Sequence, residues 1–117
     1  MKYMFLITNG ITPADPEAWA TLTKEEQQSV FADYAAVNET PGVTSGIGLD
    51  APETATTVRV EKGKTLKADG PFVDIEGAIG GDLLFEADDL AAALELAAKI
   101  PAARLGGAVE VRPTRQW

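Results

Sequence analysis

Lys2-Tyr3-Met4-Phe5-Leu6-Ile7-Thr8 is the stretch that decides the fold of this chain, because it combines a single charge with a continuous run of large apolar side chains. Successive side chains of a β-strand point to opposite faces of its sheet, so a strand over residues 2–8 is apolar on both faces. Tyr3, Phe5 and Ile7 lie on one face, and Met4 and Leu6 lie on the other. A strand with two apolar faces has to be covered on both sides.

The residues that follow this strand predict a loop and then a capped helix. Residues 9–22 are rich in glycine and proline and predict a loop with a short turn near residues 17–19. Thr23-Lys24-Glu25-Glu26 has the spacing of a capping box, in which the Thr and the second Glu cap the first helical turn. The predicted helix ends at Pro41-Gly42 and carries an apolar stripe made of Val30, Phe31, Tyr34 and Val37.

Alternating and turn-forming residues predict the strands that come next. We expect strands over residues 43–49 and 55–61, and a turn at Lys62-Gly63 that leads into a partner strand at residues 65–68. A further strand is expected over residues 79–86, with one face made of Ile79, Gly81, Leu83 and Phe85.

The last third of the chain predicts a second helix and a final strand. Asp88 is expected to cap the helix, which ends at Pro101. One side of this helix is expected to be lined by Leu90, Leu94 and Ala97. Val109 and Val111 mark the final strand.

The predicted order is β-α-β, a β-hairpin and then β-α-β, which indicates an α+β fold. Two βαβ units in a small chain favour a ferredoxin-like arrangement, an antiparallel sheet with both helices on one face. The other face of the sheet then lacks a cover, although the strand at residues 2–8 requires one. A second copy of the chain is the simplest cover, and such a homodimer would be a dimeric α+β barrel. The hairpin and the 9–22 loop are the alternative, local cover.

The composition excludes several classes of function. The chain has 117 residues, which suits a single domain spanning residues 1–117, and a formal net charge of −8. Nucleic acids and anionic lipids require clustered basic residues, so we expect neither partner. Cysteine and histidine are absent, so no disulfide or Cys/His metal site is possible, and no metal or cofactor is expected. The apolar start is too short for a signal peptide or a membrane span, which predicts a cytoplasmic protein.

The stretch from Lys67 to Asp74, Lys-Ala-Asp-Gly-Pro-Phe-Val-Asp, followed by Gly80-Gly81, resembles the signature of the DGPF proteins of the YCII-related family. The resemblance extends nearly from end to end. It includes Gly46-Ile47-Gly48-Leu49, the Thr-rich strand at residues 55–59, and the closing segment Val109-Glu110-Val111-Arg112-Pro113. It implies a dimeric α+β barrel without a known activity. Some members are encoded beside sigma factors, which implies a signalling role.

This chain departs from the family pattern where chemistry would be expected. Members of the wider group carry a His–Asp pair proposed to be catalytic, and this chain has no histidine. Members often read Glu-Thr-Lys-Glu after the signature, whereas this chain has Asp74-Ile75-Glu76-Gly77. Asp82 stands where an aromatic residue is common. Glu76 replaces the lysine of the family pattern, so the charge of a site that used this lysine would be inverted here.

Asp69 is the candidate catalytic residue, because the turn that follows it holds its backbone in a fixed geometry. Pro71 restricts Gly70 to a non-helical conformation. Two roles are open for the Asp69 carboxylate. It caps nearby backbone N–H groups of the turn, or it faces a cleft as an acid, a base or a ligand anchor.

Four further residues join Asp69 as candidate ligand-binding residues: Arg59, Phe72, Asp74 and Asp82. Arg59 either holds an anionic ligand or makes an ordinary cross-strand pair. Phe72 is either a packing anchor or a stacking platform. Asp74 and Asp82, together with Glu76, either form a solvated acidic loop or act as an acid–base or cation-binding group.

Two functions are expected from these observations. The first is a small dimeric domain that binds a small molecule or a protein partner in a cleft near Asp69–Phe72, with a possible link to sigma-factor signalling. The alternative is a cofactor-free enzyme that uses Asp69 and neighbouring carboxylates as acid and base. The fold alone does not choose between them. A purely structural subunit would have no pocket.

Overall fold

The computed structural model describes residues 1–8, 10–74 and 77–115. Within these residues the chain is an α+β protein with antiparallel sheets and three α-helices. The strands are β1 Lys2–Thr8, β2 Val43–Gly48, β3 Thr56–Glu61, β4 Lys64–Asp69, β5 Ile79–Glu86 and β6 Val109–Pro113. The helices are α1 Pro16–Trp19, α2 Lys24–Glu39 and α3 Leu90–Ala98. In the part of the chain that is described, no helix is long and apolar enough to cross a membrane.

The strands form two separate sheets. A four-stranded sheet has the order β2-β5-β1-β6, and each neighbouring pair in it is antiparallel. The strands β3 and β4 pair only with each other and make a two-stranded hairpin. The hairpin turn is the predicted one, because Lys62 and Gly63 both have positive φ, at 49° and 77°.

The strand β1 lies inside the four-stranded sheet and is apolar on both faces, as expected. Tyr3, Phe5 and Ile7 are buried on the face that carries the core. Met4 and Leu6 lie on the opposite face, which we call the outer face, and are half-buried. The core contains Phe85 from β5, whose ring meets the Phe5 ring edge to face with 6.1 Å between centroids.

The helix α2 begins with the predicted capping box. The Thr23 hydroxyl accepts a hydrogen bond from the Glu26 N–H at 3.1 Å, and the Glu26 carboxylate accepts one from the Thr23 N–H at 3.0 Å. The bond from the Thr23 backbone is the main reason that the pKa of Glu26 is lowered. A hydrogen bond to a carboxylate stabilises its charged form.

The predicted apolar stripe of α2 is only partly correct. Val30 and Val37 are buried and Tyr34 is half-buried, but the Phe31 side chain is 59% exposed. Phe31 and Val30 are adjacent in the chain and therefore differ by about 100° around the helix axis. The Phe31 ring packs instead on Trp19 of α1, with 5.5 Å between ring centroids.

Two predictions about α3 are wrong. The cap is Asp89 rather than Asp88, because the Asp89 carboxylate accepts a hydrogen bond from the Ala92 N–H at 2.9 Å. The expected stripe also included Leu90 and Leu94, and both are about half exposed. The buried residues of the helix are Ala93, Leu96 and Ala97, and Ile100 is buried just after it. The small Ala93 side chain is fully buried, which lets the helix backbone approach the sheet closely.

The capping box predicts a pH-dependent contribution to stability. We expect Glu26→Gln to lower the free energy of unfolding at pH 7, because it keeps the shape of the cap but removes the charge. The folded-state pKa of Glu26 is lowered, so the contribution is present above the unfolded pKa, near 4.3, and is lost as pH falls through the folded pKa. Urea unfolding from pH 7 to pH 3 should show the two proteins converging. A constant difference across this range would contradict the assignment.

Phe5 and Phe31 offer a matched test of where the core lies. Phe5 is fully buried, so Phe5→Ala should lower the free energy of unfolding by about 3–5 kcal/mol. Phe31→Ala removes the same atoms from an exposed site and should cost about 1 kcal/mol or less. Urea unfolding of both variants measures the difference, and equal losses would show that the core is placed wrongly.

Candidate functional site

The turn at Asp69–Phe72 is held by backbone groups and one hydroxyl. The Gly70 N–H donates to the Ala55 carbonyl at 2.7 Å, and the Thr57 hydroxyl donates to the Gly70 carbonyl at 2.7 Å. Gly70 has φ of +95°, a conformation that favours glycine. These contacts attach the turn to the start of β3, so the sequence feature that marked the turn corresponds to a defined local structure.

The Asp69 carboxylate takes no part in holding this turn. Asp69 is exposed at the end of β4, and its carboxylate makes no hydrogen bond or ion pair with the described residues. Pro71 lacks the N–H that an Asx turn starting at Asp69 would use. The register Thr56↔Asp69 and Arg59↔Leu66 places Asp69 and Arg59 on opposite faces of the hairpin. The Asp69 carboxylate therefore neither caps the turn nor meets Arg59.

Arg59 and Phe72 are the two candidate residues that the fold brings together. The centre of the Arg59 guanidinium lies 4.7 Å from the centroid of the Phe72 ring. A guanidinium over an aromatic face is attracted by the negative face of the ring. The Phe72 side chain remains 70% exposed, so it presents its apolar surface to solvent while Arg59 holds its orientation.

Phe72 lines an open apolar cleft between the end of β2 and the start of β5. We call it the turn cleft; its volume is about 510 Å³. Its described walls are residues 49–52, 54–55, 71–73 and 78–79. Asp50 is the one charged residue among these walls, and its carboxylate already accepts a hydrogen bond from the Ala51 N–H at 2.7 Å. The cleft therefore suits a molecule with a largely apolar body.

The remaining acidic candidates do not meet in this cleft. Asp74 is exposed on the loop before β5, and Glu76 and Ile75 lie outside the described residues. Asp82 lies on β5 and lines a different cleft. No group of three or more carboxylates in the described part of the chain is arranged to hold a metal ion. An acid–base pair made of Asp69 and Asp82 has no support in this geometry.

Asp82 contributes to a second cleft, of about 260 Å³, at the end of the four-stranded sheet. We call it the sheet-end cleft; its polar side chains include Thr8, Thr12, Tyr34 and Asn38. Sequence reasoning missed this grouping, because these residues come from separate elements and share no motif. Tyr34 belongs to the predicted apolar stripe of α2, and in the structure it is half-buried, packs against the core and lines this cleft.

Burial sets the chemistry of the Tyr34 hydroxyl. Desolvation raises the pKa of Tyr34, while a backbone hydrogen bond with Ala102 and the positive charge of Arg104 partly oppose the shift. Arg104 itself pairs with Asp33 at 2.6 Å. Tyr34 is therefore a neutral hydrogen-bonding group in the sheet-end cleft and lacks the lowered pKa that a tyrosine base would need.

Local irregularities of β1 and β2 shape this end of the sheet. The register shifts between Ile7, opposite Gly81, and Thr8, opposite Ile79. The shift corrects the prediction for the β5 face: Gly81, Leu83 and Phe85 are buried together, whereas Ile79 is partly exposed and lines the turn cleft. Periodicity alone does not reveal such a shift.

Gly46 marks the matching irregularity in β2. The β2–β5 register shifts between Ser45 and Gly48. The Asp82 carboxylate lies beside this segment and accepts a hydrogen bond from the Ile47 N–H at 3.4 Å. A Cβ atom at Gly46 would overlap the Asp82 carbonyl oxygen, so this close approach of the two strands requires glycine.

Gly46 and Gly48 give a matched pair of substitutions in one strand. Gly46→Ala should lower the free energy of unfolding by about 1–3 kcal/mol, because its methyl group overlaps the backbone of Asp82. Gly48→Ala should change it by about 0.5 kcal/mol or less, because no atom lies within 4 Å of a Cβ there. Urea unfolding measures both. A neutral Gly46→Ala would contradict the close approach.

The chain belongs to the YCII-related domain family, whose model matches residues 1–117. This match confirms the family resemblance drawn from the sequence. No curated protein matches the chain. The family description names no reaction, so any function has to be argued from the clefts and surfaces described above.

Proposed function

We propose that this chain is a dimeric binding domain of the DGPF type that holds a small, largely apolar molecule in the turn cleft. Its protomer is ferredoxin-like, and two protomers form a dimeric α+β barrel. The strand order β2-β5-β1-β6 supports this assignment, because two interleaved βαβ units produce such an antiparallel order. The hairpin β3–β4 is then an insertion between the two units.

The exposed surface of the single chain supports the dimer. A compact monomer of 12.3 kDa exposes about 6,100 Å² by the usual size scaling. This chain exposes 8128 Å², an excess of about 2,000 Å². Its radius of gyration of 15.9 Å also exceeds the roughly 13 Å expected for 117 residues. A stable interface buries about 800 Å² on each partner, so the excess is large enough to provide one.

The observation that carries the binding role is the exposed Phe72 ring in the turn cleft. An aromatic side chain at the wall of an apolar cleft would normally lose contact with water when a ligand packs against it. The interaction with Arg59 orients the Phe72 ring before any ligand arrives, which reduces the entropy lost on binding. This geometry favours a flat or aliphatic apolar ligand over a highly charged one.

A binding role is favoured over the acid–base enzyme considered above. The Asp69 carboxylate is exposed, lies on the hairpin face away from Arg59, and makes no hydrogen bond or ion pair with the described residues. A ligand-binding domain without chemistry of its own fits a regulatory task, and a sigma factor is the partner class that the family resemblance implies.

A ligand screen by thermal shift tests this proposal. We expect apolar metabolites that bind to raise Tm, because a ligand that binds only the native state stabilises it. Phe72→Ala should reduce the shift by removing the exposed wall of the cleft, whereas Asp69→Asn should leave it unchanged. A loss of binding in Asp69→Asn with normal binding in Phe72→Ala would favour the carboxylate site instead.

A further inference from the structure

The hairpin β3–β4 lacks the packing that a two-stranded sheet needs. We call residues 56–69 the arm; in the described structure its two strands pair only with each other. An isolated two-stranded hairpin is marginally stable in water, and it requires a third strand or a packed face. The arm is anchored at its base through Ala55, Thr57 and Gly70, but every residue from Val58 to Asp69 is exposed.

One face of the arm is apolar and open to solvent. Val58 and Val60 are 57% and 67% exposed, and they lie on the same face because they are two residues apart on one strand. The register places Lys67 opposite Val58 and Thr65 opposite Val60. A pair of exposed β-branched side chains with a neighbouring lysine is typical of a surface that docks on an apolar patch with acidic residues.

The charge of the arm is opposite to that of the rest of the chain. Four of the 10 basic residues lie in the arm, together with two acidic ones: Arg59, Lys62, Lys64 and Lys67 against Glu61 and Asp69. The arm therefore carries a formal charge of +2 and the remaining residues carry −10, which add to the −8 of the whole chain. A basic projection and an acidic body are complementary between two copies of the same chain.

We propose that the arm is an intersubunit clamp, which docks through its Val58–Val60 face on the acidic body of a second copy of this chain. The inference rests on the proposed dimer and specifies which part of the chain holds it together. The excess surface of about 2,000 Å² allows for such a contact in addition to a sheet-to-sheet interface.

On the second copy the arm fits the Leu6 end of the outer face of the four-stranded sheet, and the rest of that face is left for the sheet-to-sheet interface. The apolar centre of the outer face consists of Met4, Leu6 and Leu84, which are half-buried and lie on adjacent strands. Asp82 lies opposite Leu6 on the same face and supplies a carboxylate beside this centre. Glu110 of β6 also lies opposite Leu6, whereas Arg112 lies opposite Met4, so the Leu6 end is the acidic one. This end complements Val58, Val60 and Lys67, which lie further along the arm than Asp69 at the base of the same arm face.

The clamp also connects the dimer to the turn cleft. The residues that flank the arm, Ala55 and Pro71, line the cleft, and Arg59 of the arm lies over the Phe72 ring. Docking of the arm on the second copy would restrain these residues together. Each turn cleft is therefore expected to reach its binding geometry only in the dimer.

Substitution of the two arm valines tests the clamp. The variant carrying Val58→Thr and Val60→Thr keeps β-branched side chains, so the strand should persist while its apolar surface is lost. We expect the dimer dissociation constant from sedimentation to rise by about tenfold or more. Leu66→Thr, on the opposite face of the same arm, is the matched control and should leave the constant unchanged. Circular dichroism of each variant checks that the fold is retained.

Crosslinking of the unmodified protein provides a second, independent readout. A mixture of ¹⁵N-labelled and unlabelled chains is treated with a carbodiimide, which joins lysine amines directly to carboxylates. We expect mixed-isotope peptides that join Lys62, Lys64 or Lys67 to carboxylates of another copy. Arm lysines joined only within one chain would overturn the clamp.

The outcomes separate the clamp from the proposed dimer. A monomeric wild-type protein at micromolar concentration would overturn both the dimer and the clamp. A wild-type dimer whose dissociation constant is unaffected by the two threonine substitutions would overturn the clamp alone. If the protein binds a nucleic acid through the arm at physiological salt and gives no mixed-isotope peptides, the basic arm has a different partner. This result would also overturn the clamp.

Discussion

The pairing of β1 with strands on both sides is the constraint on which the rest of the structure depends. Hydrogen bonds to β5 on one side and to β6 on the other place β1 inside the four-stranded sheet. Its apolar side chains therefore lie on both faces of that sheet. One face packs under the helices around Phe5, which is fully buried. In the described part of the chain the buried helix residues belong to the core on the Phe5 face, and the dimer proposed above would cover Met4 and Leu6 on the outer face.

Both clefts lie at strand ends of the four-stranded sheet. The register shift near Thr8 and the close approach at Gly46 lie beside the sheet-end cleft. The turn at Asp69–Phe72 is held by Ala55, Thr57 and Gly70, which leaves the Phe72 ring free to face the turn cleft. This turn is therefore a defined structural element, and its aromatic side chain stays exposed.

Local signals predicted the elements well but their orientation less well. The Thr23–Glu26 capping box and the Lys62-Gly63 turn were correct, because each depends on hydrogen bonds and backbone conformations within a few residues. The predictions for the cap and the buried side of α3 were wrong. Asp88 and Asp89 are equivalent as local signals for a cap, and the buried side, with Ala93, Leu96 and Ala97, depends on packing between segments far apart in the chain.

The sequence by itself determined the α+β class, the order of the strands along the chain and the family, since these follow from periodicity, caps and a motif. It also identified Arg59 and Phe72 as candidates, but only the tertiary structure placed the guanidinium 4.7 Å from the ring and separated Asp69 from both. The position of Tyr34 beside Thr8 and Thr12 was likewise decided by tertiary structure. Clefts arise where distant segments meet, and periodicity within one segment carries no information about that meeting.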